Sequence, residues 1–472
     1  MKPTSVLALL ALGIAAASAA VGCGVGGDEG ATGEDEVRPV ERAIIGAARP
    51  YVADKTLDGK KAKLDASQKA RRDVAWKSIA KVLKDGRIAD ADVKVDSKRA
   101  KLPAFRTWYQ KDDYERMFAK LYEAHGADAR KARRPFTEAE IDTALEGNAT
   151  DRGAWADDAF EERLKQIDSR AAAAGLGGNA RVSYSTGAVR HMMKSWAPLT
   201  KCARGEVTDD PKAEPKSPTL FSTCVDEEFP KDAAVIKAAW LRADFGGKVP
   251  VRPSSAEALT ARMAGQLDEG GWGKGDAANE QTPDESSIYS VKMTDGSTFR
   301  MPALHLITKE LREWLWITIW WSPEPDTDFG ADRPAAITQL GGPWKNYKMC
   351  VVTGYEEKDP DPTGGFPTGK GSLGDALKAT YKGVGAPTWC SNQYIERGTH
   401  NAQTNCIGCH QHAGTQLRSE AVLADDKLFP DFGRTKTRKN FPADYIFAAV
   451  QPPESISNIM QTQVEHFDTI DR

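Results

Sequence analysis

The chain has 472 residues, a formal charge of −3 at pH 7 and seven cysteines. This near-neutral balance argues against a nucleic-acid partner, because such proteins present excess positive charge to phosphates. Beyond the N-terminus no apolar run reaches the length that spans a bilayer, so membrane attachment would have to come from the N-terminal end. The length predicts two or three domains with hydrophobic cores.

The N-terminus has the order of a signal peptide: Lys2, a short apolar stretch over residues 6–20, then small residues. It ends at Ala20-Val21-Gly22-Cys23, which resembles the lipobox of bacterial lipoproteins. That resemblance implies cleavage before Cys23, a lipid on its thiol, and anchoring on the periplasmic side of the outer membrane. Ala20 replaces the usual leucine, so an ordinary signal peptide with a chance cysteine stays open. We assign residues 1–22 to a lipoprotein signal peptide and 23–50 to a flexible tether.

Residues 51–200 are predicted to be a helical region. Apolar residues recur at helical spacing over 65–83, 115–125 and 158–174. Thr137, followed three residues later by Glu140, predicts a capping box at another helix start. The basic cluster 130–134 is interpreted as a solvated helix end rather than a docking site for an acidic partner.

Residues 201–355 are predicted to be a β-rich domain. An apolar segment at 234–240 opens it, and the stretches 288–294 and 298–301 flank a hairpin signal at 295–297. Further strands are predicted over 304–307, 314–321 and 347–352. The second of these is apolar on both faces, which is typical of a central strand. Its tryptophans are interpreted as core residues rather than as a ligand platform.

The pentapeptide CIGCH at 406–410 is a CxxCH motif, which in an exported protein is the attachment signature of a c-type haem. Cys406 and Cys409 have the spacing that reaches both vinyl groups at one porphyrin edge, and His410 then becomes the axial iron ligand. A zinc site would need further ligands from residues such as His400 and His412. A redox CxxC would follow a strand, whereas this one follows a polar loop. We therefore predict one covalent haem c in a small, mostly helical region, 356–472, which also has a short helix candidate over 441–450.

Four cysteines remain once one is assigned to lipid and two to haem: Cys202, Cys224, Cys350 and Cys390. An even remainder in an oxidising compartment suggests two disulfides. Pairing Cys202 with Cys224, and Cys350 with Cys390, would close two Pro-rich loops. The sequence does not fix this connectivity, and four buried thiols are the alternative.

The sixth iron ligand is harder to place. Met460 follows His410 by 50 residues and is predicted as a distal ligand, with a core methionine of a C-terminal helix as the equal alternative. Upstream alternatives are Met349, His400 and His305. His305 has apolar neighbours in a predicted strand, which favours a hydrogen-bonded core histidine.

Residues 236–240, 304–309 and 314–316, followed by a lone CxxCH, resemble a group of large exported bacterial proteins with a cytochrome c-like C-terminal part. The resemblance covers about residues 230 to 450 and implies haem binding and electron transfer, with substrates unassigned. The predicted fold class is thus α+β: a helical N-terminal region, a β-rich middle domain and a mostly α, cytochrome c-like C-terminal region.

These features predict a membrane-anchored monohaem cytochrome that passes single electrons between exported partners, either a redox protein or a small electron donor or acceptor. The alternative is a haem enzyme or ligand sensor with an open or labile sixth iron position beside the β-rich domain. A third, weaker interpretation is a binding protein that uses haem to staple a small domain. A single CxxCH argues against a dihaem peroxidase, and electron transfer is favoured over catalysis.

Overall fold

The computed structural model describes residues 48–87, 101–153, 178–204, 224–225, 227–243, 248–255, 258, 279–292, 298–354, 390–396, 406–415, 422, 438, 440–450 and 455–471. Helices and strands are mixed along this part of the chain, which confirms the α+β class. The predicted signal peptide, Cys23, most of the tether, the helix over 158–174 and His400 lie outside the described residues.

The strands, in chain order, are β1 (Asp85–Arg87), β2 (Lys101–Pro103), β3 (Gly178–Tyr184), β4 (Ala234–Arg242), β5 (Val249–Pro250), β6 (Glu280–Gln281), β7 (Ser290–Lys292), β8 (Thr298–Thr308), β9 (Leu315–Trp321) and β10 (Tyr347–Val352). Six of them form one antiparallel sheet in the order β10-β9-β8-β4-β3, with β7 also paired to β8. The pairs β1–β2 and β5–β6 are separate small ladders.

The helices are α1 (Lys61–Ala66), α2 (Gln68–Leu83), α3 (Lys111–Ala124), α4 (Ala127–Lys131), α5 (Glu138–Gly153), α6 (Thr186–Lys194), α7 (Trp196–Ala203), α8 (Ala335–Thr338), α9 (Cys406–His410), α10 (Phe447–Val450) and α11 (Ile456–Ile470). Short 3-10 turns at Asp58–Lys60, Ala104–Thr107, Asp328–Gly330 and Gly342–Asn346 connect them.

Several local predictions are confirmed by the elements that form. The helix predicted over 65–83 is present but is interrupted at Ser67, whose side chain accepts a hydrogen bond from the Ala70 amide and so caps α2. Thr137 and Glu140 form the predicted reciprocal capping box. β7 and β8 pair as a hairpin, and β9 lies between β8 and β10.

Two local predictions are corrected. The region 51–200 is not wholly helical, because Gly178–Tyr184 forms strand β3 of the central sheet. The helix predicted over 441–450 is reduced to Phe447–Val450, because Asp444 and Tyr445 adopt left-handed backbone angles that end any helix there.

The sheet is covered on both faces. Helix α2 packs over β9 and β10, and its buried Arg72 forms a salt bridge with Asp332 at 2.7 Å. Helix α11 packs against α3 and α7. One continuous cluster of buried apolar side chains runs from Ala48 to Val464, so the described parts of all three predicted regions share a core.

Candidate functional site

One face of the sheet carries a row of polar residues among apolar ones. Lys237 of β4 pairs with His305 of β8, and His305 pairs with Thr318 of β9. Directly paired residues of an antiparallel sheet project from the same face. The same face also carries the residues two positions away on each of these strands, which are Val235, Ile307 and Trp316. This face therefore presents a cationic and an imidazole side chain beside an apolar wall, and it faces the C-terminal residues of the chain.

The CxxCH motif forms the short helix α9 opposite this face. Cys406 and Cys409 are buried and form no disulfide. The ring of His410 lies 4.6 Å from the ring of Trp316 and 5.3 Å from that of Phe447, measured between centroids. Nδ1 of His410 is 2.8 Å from the backbone oxygen of Tyr445. Because a carbonyl oxygen only accepts, Nδ1 donates this hydrogen bond, and in the neutral ring Nε2 is then the unprotonated nitrogen that binds metals.

The turn that supplies the Tyr445 carbonyl is held by a buried ion pair. Asp444 and Tyr445 have φ angles of +45° and +69°, which few residues other than glycine adopt. The Asp444 carboxylate accepts hydrogen bonds from Lys309 Nζ at 2.7 Å, from Trp314 Nε1 at 3.0 Å and from the Phe229 amide at 2.9 Å. Burial raises the pKa of Asp444, and Lys309 opposes that rise. The unusual backbone is therefore fixed by contacts with residues far away in sequence.

A cavity with about 560 Å³ of empty space, part of it open to solvent, lies between the sheet face and the C-terminal residues. The lining residues are Val182, Val235, Lys237, His305, Ile307, Trp316, Ile317, Glu396, Cys406, His410, Ile446, Phe447 and Ala448. The walls are mainly apolar. Lys237 and His305 contribute polar groups from the sheet, and Glu396, Cys406 and His410 contribute them from the C-terminal segments.

Glu396 links the sheet to the CxxCH helix. Its Oε2 accepts hydrogen bonds from Ser391 Oγ and the Asn392 amide, both at 2.5 Å. Its Oε1 lies 3.5 Å from Cys406 Sγ and 3.6 Å from His305 Nε2. Burial raises the pKa values of Glu396 and Cys406 and lowers that of His305 well below its usual range, with the charges of Lys237 and His410 adding to the effect on His305. Burial therefore disfavours the charged forms of both the carboxyl and the imidazole.

A disulfide holds Glu396 in this position. Cys350 of β10 is bonded to Cys390, and Asn392 Nδ2 then donates to Thr318 Oγ1 at 2.6 Å on the cavity face. The second disulfide joins Cys202 and Cys224. Both suggested pairings are therefore confirmed, and the first of them ties the glutamate segment to the sheet.

The candidates for a distal ligand are widely separated. Met349 pairs with Ile319, which follows Thr318, the partner of His305. Because adjacent strand residues project from opposite faces, Met349 lies on the other face of the sheet. Met460 is buried on helix α11 and is not among the described residues that line the cavity. His305 lines the cavity together with His410. His412 is buried beside the CxxCH helix and likewise does not line the cavity.

Three residues of the site were not predicted from the sequence: Glu396, Lys237 and Trp316. Lys237 and His305 could have been recognised from the sequence, since each is a polar residue within an otherwise apolar strand. Glu396 could not, because its segment is placed by a disulfide and by hydrogen bonds to distant strands. Cys409, which sequence analysis did predict, is buried in α9 but is not among the residues that line the cavity.

Comparison with protein families, curated proteins and solved structures finds no match. Among the described residues, no helix is both long enough and apolar enough to cross a membrane.

Proposed function

We propose that the chain is an exported c-type haem protein that carries single electrons, with one haem attached to Cys406 and Cys409 and bound through its iron by His410. The contact that carries the proposal is the hydrogen bond from His410 Nδ1 to the Tyr445 carbonyl at 2.8 Å. Such a partner fixes the tautomer and the ring orientation of a metal-binding histidine. Buried histidines in general are hydrogen-bonded, but this one also directly follows Cys409 and lines the cavity, where its ring can meet a cofactor.

The donor set and the apolar lining of the cavity are of the kind that this cofactor requires. Two unpaired thiols stand one helical turn apart, and the second is followed directly by the oriented histidine. The cavity beside them is walled by aliphatic and aromatic side chains, as an apolar macrocycle requires. Bound haem would supply a one-electron Fe(III)/Fe(II) couple, whose potential the burial and the axial ligands adjust. The sheet and the C-terminal turn would exclude water and hold the His410 ring.

A second candidate function has its own supporting observation. His305, Glu396 and Lys237 bring three polar groups to one side of a mostly apolar cavity. A few convergent polar groups in an apolar pocket are typical of a small-molecule site. This arrangement favours binding of an exogenous ligand near the iron, as in a haem enzyme or a sensor.

The proposal is tested by producing the full chain in a host that attaches c-type haem. We expect haem to stay with the polypeptide after denaturation and to show reversible oxidised and reduced spectra. Replacing both thiols, Cys406→Ser with Cys409→Ser, will abolish covalent attachment. The matched control, Cys202→Ser with Cys224→Ser, removes a cysteine pair elsewhere and will keep the haem.

A protein that matures without covalent haem under these conditions contradicts the proposal. Metal analysis would then test a defined alternative, a zinc site. One potential ligand atom from each of His305, Glu396 and Cys406 lies within 4.8 Å of the other two. Zinc bound by these three residues in place of haem would overturn the assignment.

Carbon monoxide separates the two candidate functions. A reduced spectrum that carbon monoxide leaves unchanged indicates a six-coordinate electron carrier. Ready binding indicates an open or labile sixth position and favours the ligand-binding function.

Membrane anchoring is a further part of the proposal. The lipobox-like residues 20–23 lead us to propose that Cys23 carries the lipid. Cys23→Ala will move the protein from the membrane fraction to the soluble periplasmic fraction. An unchanged distribution would refute the anchor and leave the haem assignment untouched.

A further inference from the structure

The two sides of the cavity are built differently. His410 approaches from the CxxCH helix, and its orientation is fixed by the C-terminal turn. The sheet contributes His305, whose backbone is fixed between β4 and β9. No methionine is found among the described residues that line the cavity.

We infer that His305, rather than Met460, is the residue on the distal side of the haem iron, across from His410, and that Glu396 holds its imidazole in place. The inference rests on the proposed function, since it places a side chain relative to a haem attached at Cys406.

The surroundings of His305 suit this role. Its cross-strand neighbours are Lys237 and Thr318, and the ring of Trp316, two residues along β9 on the same face, contacts His410. His305 and Trp316 are diagonal neighbours on one sheet face, about 7–8 Å apart at the backbone, and the imidazoles of His305 and His410 both line the same cavity.

Haem attachment would also change the partners of Glu396. In the thiol form, Cys406 Sγ is 3.5 Å from Glu396 Oε1 and can donate to it. A thioether has no proton to donate. Oε1 then loses this donor while His305 Nε2 remains 3.6 Å away, and a small closure brings the two into hydrogen-bonding distance. Covalent attachment therefore favours the His305–Glu396 contact.

The experiment compares His305→Leu and Met460→Leu in the full-length protein, after covalent haem has been verified in each. We record the electron paramagnetic resonance of the oxidised protein and the carbon monoxide stretching frequency of the reduced protein. If His305 binds the iron, its replacement will convert a six-coordinate, low-spin signal into a high-spin one and will permit carbon monoxide to bind. If His305 instead contacts an iron-bound ligand, the stretching frequency will shift in His305→Leu. Both results support the inference, and Met460→Leu will match the parent protein in each.

The inference is overturned if His305→Leu matches the parent in both measurements, or if Met460→Leu is the variant that opens the iron. Absence of covalent haem from the parent protein would instead refute the proposed function. A second variant guards against a folding defect: His305→Met keeps a potential ligand, and methionine ligation will raise the reduction potential above that of the parent.

Discussion

The buried pair of Lys309 and Asp444 allows a quantitative test of how the proximal side of the cavity is held. Both side chains are fully buried, and Nζ lies 2.7 Å from Oδ1. Lys309→Met keeps most of the side-chain volume but leaves the carboxylate without its cation. Removing one partner of a buried ion pair costs about 3–5 kcal/mol. Because Trp314 and the Phe229 amide still donate to Asp444, we expect about 3 kcal/mol, the lower end of this range.

The assay is urea denaturation at pH 7, followed by tryptophan fluorescence. The double variant Lys309→Met with Asp444→Asn will be less destabilised than the single variant, because it leaves no unpaired buried charge. A loss below about 1 kcal/mol for Lys309→Met would refute the claim that the pair supports the turn.

A second buried pair in the same protein serves as the control. Lys348 Nζ lies 2.9 Å from Asp328, and both side chains are almost fully buried. Lys348→Met will therefore cost a comparable amount of stability. It has no described link to Tyr445, so in the proposed haem-bound protein only Lys309→Met will change the absorption spectrum through His410. Equal spectral changes in the two variants would show a general loosening rather than an effect on the proximal histidine.

Two further predictions concern stability. Replacing the disulfide by Cys350→Ser with Cys390→Ser will lower the free energy of unfolding by about 4 kcal/mol, because the bond closes a sequence separation of 40 residues; an unchanged urea midpoint would contradict this. Burial, aided by the charge of Lys309, lowers the pKa of His191 to about 4 from 6.5. The part of the free energy of unfolding that depends on neutral His191 is therefore fully present above pH 6.5. It is lost as the pH falls towards 4, by about 3 kcal/mol in total. In His191→Gln the urea midpoint will vary less with pH across this range. If it varies with pH as in the parent protein, His191 does not cause the pH dependence.

Much of the fold follows from local patterns in the sequence. The capping box at Thr137 and the central strand β9 need only short-range spacing and apolar runs to be recognised. Strand β3 was missed although Ala180, Val182 and Tyr184 alternate with polar residues, because this short run directly follows glycines that are typical of a loop. The turn at Asp444 was missed because its left-handed backbone is imposed by distant donors and has no glycine to mark it.

The same distinction separates the two sides of the cavity. Thioether attachment and proximal ligation require three residues at fixed local spacing, so Cys406, Cys409 and His410 can be predicted from five consecutive letters. The distal side depends instead on strand register. A slip of one residue in the β8 pairing would turn His305 to the opposite sheet face, where Met349 lies, and would place Leu304 or Leu306 in the cavity. Within apolar strands, a histidine gives no sign of which face it occupies until its neighbours are known. Register therefore decides whether His305 lines the cavity beside the CxxCH helix or lies on the opposite face of the sheet.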